Sequence, residues 1–182
     1  MEKPFEKPVE NVTPITPEAG ELKPDNEFFG IKVEGDEGFL KRTQEALKML
    51  AQLPEFLQIK PHIGLIRRAE RSGMRAYDEI PTYEVADPTS SHSTIWYAST
   101  IAHDGFHSLL YHQGKERSKG REPDADLWTG TQAEKQCLEF QLKVLEQLTT
   151  EKYLLDYARE YMKDPKYQGG NRSREDYQKR NW

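Results

Sequence analysis

The segment from Ser93 to His112 constrains this chain more than any other stretch. Ile95, Ala98, Ala102, Phe106 and Leu109 recur at helical spacing, the pattern of a helix set into a core. The same segment carries His103 and His107, four residues apart and therefore one turn above each other on one face. A solvated face is the ordinary place for two histidines, but this helix is apolar here and lies in the middle of the chain. The spacing lets both imidazoles reach one ion, and zinc gains from nitrogen ligands that are rigid beforehand.

Two imidazoles alone bind an ion weakly, so a third ligand is required. The next strong helix, from about Thr131 to Leu148, has Ala133, Cys137, Phe140, Val144 and Leu148 on its core face. Glu134 sits at the edge of that face near the helix start, able to reach across to the first helix. A carboxylate there also suits the positive end of the helix dipole without any ion. Cys137, one turn on, is a softer alternative ligand, although at an apolar helix position it reads more readily as a small buried hydrophobe. Two histidines and one carboxylate leave a fourth position open for water, the arrangement of a catalytic rather than a structural zinc.

Asp104 directly follows the first histidine. As a general base it would take a proton from such a water and later pass it to a leaving group; its other use is to orient an imidazole. Tyr111, four residues after His107, is placed to donate to a substrate oxyanion or to pack at the rim.

The segment His103-Asp104-Gly105-Phe106-His107, followed by Glu134 on the next helix, resembles the His-Glu-x-x-His…Glu pattern of gluzincin-type zincin metallopeptidases. The order of elements before it, a helix and then strands leading into the histidine helix, is similar to the small zincin core. The resemblance covers roughly residues 56–148. It implies a zincin-like α+β fold, zinc as cofactor, a peptide or protein substrate, His103, His107 and Glu134 as ligands, and Asp104 as general base. It also implies that extended peptide lies along the strand beside the helix, here the one ending near Val85. The departure is aspartate in place of glutamate, shorter by on the order of 1.5 Å, where catalytic placement tolerates roughly 0.5 Å. A non-catalytic zincin-derived binding module is therefore a standing alternative. A second is an HD-domain phosphohydrolase, since His103-Asp104 matches that paired ligand, but such domains are all-helical.

The remaining elements define an α+β scheme with a small, antiparallel-rich sheet first and helices after. Phe28 to Glu34 reads as a short strand and 37–53 as a helix stopped by Pro54. Phe56 to Arg68 and Met74 to Val85 read as two strands around the Ser72-Gly73 turn, an antiparallel pair that puts His62 on a strand. Residues 87–91 read as a loop that caps the histidine helix, and a last helix spans about 150–163. Five prolines mark residues 1–26 as a disordered leader; residues 167–182 form a polar tail; 27–166 make one domain, as a length of 182 allows.

Net charge is −5, which argues against nucleic acid or an anionic membrane as main partner. The single cysteine excludes an intramolecular disulfide and a multi-cysteine zinc knuckle. No 18-residue apolar run and no secretory signal are present, so a cytoplasmic protein is expected.

Overall fold

The computed structural model describes residues 26–163. The leader, apart from Asn26, and the 167–182 tail fall outside the described residues. Those described form an α+β fold of six α-helices and a five-stranded mixed sheet.

The sheet opens with a hairpin. Strands β1 (Glu27–Phe28) and β2 (Ile31–Glu34) pair antiparallel around Phe29-Gly30. Both turn residues have positive φ, as a two-residue primed turn demands. The single strand expected over Phe28 to Glu34 is therefore two. Helix α1 (Glu37–Leu50) follows, with the Asp36 side chain accepting from the Phe39 amide at its N-cap.

Two prolines then start helices rather than breaking them. Pro54 opens α2 (Pro54–Ile59), which runs into a 3-10 turn at Lys60–His62, and Pro88 lies in the first turn of α3 (Asp87–His92). A missing N–H costs nothing at the first helical turn. These elements correct the strand expected from Phe56 to Arg68, the loop expected at 87–91 and the strand position of His62.

What remains of the expected strands is β3 (Leu65–Arg68), β4 (Gly73–Arg75) and β5 (Thr82–Val85). The sheet order is β1-β2-β3-β5-β4, with β2, β3 and β5 parallel and both outermost strands antiparallel to their neighbours. The sheet is thus mixed rather than antiparallel-rich. Short-range hairpins account for β1–β2 and β4–β5, whereas the parallel pairs join strands brought together by helix α1 and by the β4 excursion.

Register explains which face is buried. Val33, Ile66, Tyr83 and Met74 stand opposite one another across four strands, and all are inaccessible to solvent. The next row along holds Glu34, Arg67 and Glu84, where Arg67 donates to Glu84 at 2.7 Å. One face therefore carries the core and the other a charged ladder.

Helix α4 (Thr94–Arg117) crosses the apolar face and packs on α1, α2 and α5 (Thr131–Leu148); α6 (Lys152–Lys163) packs on α5. Among the described residues no helix is long and apolar enough to cross a membrane. Gly105 sets how closely α4 approaches α2. A Cβ there would lie 2.7 Å from Ile63 Cδ1 and 3.1 Å from Ile59 Cβ.

Helix propensity favours Gly105→Ala by roughly 1 kcal/mol, but overpacking a filled core costs about 1–3 kcal/mol. The clash with buried Ile59 and Ile63 outweighs propensity, so Gly105→Ala is expected to lower stability by about 1–2 kcal/mol. Urea denaturation in the presence of a chelator measures this; an unchanged or higher midpoint would show the approach to be loose.

Candidate metal centre

The two central helices are held in register by contacts close to the histidine pair. Gln141 donates to the Ser99 hydroxyl at 3.0 Å, and the Phe106 and Phe140 rings stack at 4.5 Å. Two turns along α4 from Ser99 lead to His107, and two turns back along α5 from Gln141 lead to Glu134. The antiparallel packing thereby places Glu134 opposite both histidines.

The three groups converge. The Nε2 atoms of His103 and His107 are 3.1 Å apart, and Glu134 Oε2 lies 3.5 Å from each. Zinc bonds of about 2.0–2.2 Å at tetrahedral angles put neighbouring ligand atoms roughly 3.3 Å apart. The triangle thus has the size that one such ion requires, and it is the one His/Cys/Asp/Glu cluster of metal-holding dimensions among the described residues.

Electrostatics agree with the geometry. His107 is wholly buried and Glu134 3% exposed. Burial works to raise the Glu134 carboxyl, but His107 and His103 outweigh it and hold the group well below the usual carboxylate range. A carboxylate is thus kept ionised inside the protein, with two imidazole nitrogens facing it. A proton shared between the rings joins only the two nitrogens, whereas a divalent cation would bind all three groups together.

His107 is also oriented from behind. Its Nδ1 lies 2.6 Å from the Trp128 carbonyl oxygen. A carbonyl only accepts, so Nδ1 carries the proton and, in the neutral ring, Nε2 presents its lone pair to the centre. Trp128 follows a 3-10 turn at Ala125–Leu127, in the loop that folds back over the C-terminal half of α4, where Gly114 admits Pro123. This support comes from a backbone atom and has no signature in the sequence.

The expected residues divide as follows. His103, His107 and Glu134 come together. Cys137 is fully buried beside His107 but is not one of the converging ligands. Burial pushes its thiol up to about 11, against a smaller opposing pull from His107, so it stays protonated and packs as a hydrophobe. Asp104, 9% exposed, borders a cavity of about 270 Å³ next to His103. The Tyr83 hydroxyl lies close by in the core; burial, and then the Asp104 charge, keep it protonated.

Tyr111 is placed elsewhere. It is 1% exposed, donates to Glu122 at 2.8 Å, packs edge-on against Trp128 and does not line the cavity. His62 lies against His112, ring centroids 5.1 Å apart, and outside the triad. Sequence reading missed the cavity walls: His92, Trp96, Tyr157 and Tyr161 lie far apart in sequence and gather only through α3, α4 and α6.

No protein-family model matches the chain, and no curated protein or solved structure matches it.

Protein isolated without added metal is expected to carry about one divalent ion per chain, lost on acidification because the ligands bind only when deprotonated. Glu134→Ala should weaken zinc binding by more than the roughly 10–100-fold that removing an outer-shell partner costs. Cys137→Ala should retain the ion. Metal analysis with a competing chelator reads both, and loss of metal in Cys137→Ala with retention in Glu134→Ala would reverse the assignment.

Proposed function

We propose that this chain is a zinc-dependent hydrolase of the zincin type, acting on peptide bonds. The observation that carries the reading is the convergence of two imidazoles and one buried carboxylate beside a cavity bordered by His103 and Asp104. His103, His107 and Glu134 would hold the zinc, which would supply Lewis acidity toward a water and a substrate carbonyl.

The chain's own residues supply the rest. Asp104 borders the cavity next to the ligand His103, where a carboxylate can accept a proton from an attacking water and return it to the departing amine. The Trp128 carbonyl fixes the tautomer of His107. The sheet offers a place for the substrate backbone, although not at the strand expected from the sequence. Strand β5 is paired on both sides, with β3 and β4. The outer edge belongs to β4, and Gly73 at its start lines the cavity. An extended peptide adding to that edge would run past His103 and Asp104.

Phosphohydrolysis fits less well. The histidine helix packs on a five-stranded sheet as well as on helices, unlike an all-helical domain, and among the described residues none lining the cavity is Lys or Arg. A phosphate there would find no side-chain cation besides the ion itself.

Zinc-loaded protein is expected to cleave an unstructured peptide or casein, and Asp104→Ala should lower kcat by about 10²–10⁴, the span of general-base catalysis, with zinc content unchanged. Asp104→Glu should retain activity or raise it. An inert wild type together with an inert Asp104→Glu, both holding zinc, would leave a non-catalytic binding module in its place.

A further inference from the structure

The cavity beside the centre has a composition of its own. Its wall is a run of rings from three helices. His92 of α3 packs on Trp96 of α4 at 5.7 Å, Trp96 packs edge-on against Tyr157 of α6 at 5.1 Å, and Tyr157 lies 5.4 Å from Tyr161. Leu138 of α5, Ala158 of α6 and Pro88 of α3 add to the apolar lining, Thr89, Thr100 and Gln141 contribute polar groups, and β4 borders it at Gly73.

Size restricts the occupant. An apolar cavity of about 150 Å³ holds a benzene ring, and drug-sized ligands take roughly 300–1,000 Å³. A volume of about 270 Å³ suits one large side chain, a phenyl, phenol, indole or isobutyl group, rather than a folded ligand.

Charge restricts it further. With no Lys or Arg among the described lining residues and the Asp104 carboxylate at its border, an acidic side chain would be repelled. An ammonium group would be drawn to the rings and to Asp104. It would then sit on the carboxylate that hydrolysis needs, and that carboxylate is only 9% exposed.

We infer that this cavity is a specificity pocket for an aromatic or large aliphatic side chain of the substrate, with Trp96, Tyr157 and Tyr161 as the residues that read it. The inference deepens the peptidase reading and rests on it for the occupant being a peptide side chain. Helix α6 is the selective element: it packs on α5 and contributes two of the rings, while Trp96 is anchored in α4. Tyr157 is 45% exposed at the mouth, so its removal widens the pocket without opening the core.

The test separates binding from turnover. Calorimetry on the zinc-loaded protein compares N-acetyl methylamides of phenylalanine, leucine, alanine, lysine and glutamate. Phenylalanine and leucine are expected to bind at least tenfold more tightly than alanine. Tyr157→Ala and Tyr161→Ala, each checked for full zinc content, should lower phenylalanine affinity at least fivefold and leave alanine unchanged. In a parallel digest of mixed peptides, mass spectrometry should place the cleaved bonds next to aromatic or large aliphatic residues.

Equal affinity across the series, or tightest binding of lysine or glutamate, would overturn the pocket assignment. Cleavage without side-chain preference would overturn it too, while leaving the peptidase reading standing. Selective binding of phenylalanine with no cleavage of any peptide keeps the pocket and removes the peptidase reading.

Discussion

Everything in this molecule is organised by the meeting of one carboxylate and two imidazoles at the contact between α4 and α5. A polar group left unpaired in a protein interior costs about 1–3 kcal/mol, and more when it is charged. Glu134 and His107 are both essentially sealed from water, so the fold has to hold them where they can satisfy a common partner. The stacking of Phe106 on Phe140 and the Gln141–Ser99 hydrogen bond fix the helix register that does so. An ion in that position would tie α4 to α5, so that metal affinity and folding stability would be two expressions of one free energy.

The five residues from His103 to His107 illustrate how one helical turn addresses every layer at once. The two histidines face α5. Asp104 turns toward the sheet, beside Tyr83, and to the cavity. Gly105 lets α2 and the following 3-10 turn approach, and Phe106 stacks on α5. Each position has its own neighbour, so substitutions along the motif are expected to act through different interactions. That is why Gly105→Ala addresses packing, whereas changes at Asp104 address chemistry.

Legibility in the sequence follows the range of the interactions. Helix α5 runs from Thr131 to Leu148, as its apolar periodicity indicates, and α4 extends to Arg117, five residues beyond the expected end at His112. Both are long, so period alone identifies them. The triad was legible because i, i+4 spacing is local and Glu134 falls near the start of the next helix. The sheet was not: parallel pairing of β2 with β3 and of β3 with β5 depends on contacts distant in sequence. Pro54 and Pro88 misled because a proline that ends one helix is equally suited to begin another. Tyr111 shares a helical stripe with His107, yet the loop folding back over α4 separates them; its Trp128 ring and Glu122 claim the tyrosine. No periodicity within α4 could reveal where that loop returns.

The same loop gives the centre its asymmetry. His107 is enclosed from behind by the Trp128 carbonyl and is wholly buried, while the His103 side chain stays 15% exposed and borders the cavity. The triad is open to the cavity on the His103 side, while His107 is enclosed by packed protein on the other. One rigid imidazole and one accessible imidazole on the same helix face are what a reactive metal centre needs, since a site closed on every side could only be structural. Asp104 lies on that open side, one residue from His103, where the proposed acid–base role would need it, rather than behind the histidines. The aromatic wall of α4 and α6 borders the same opening. On the proposed peptidase reading, recognition and chemistry would share this opening, and the side chain admitted there would decide which peptide bond is presented to Asp104.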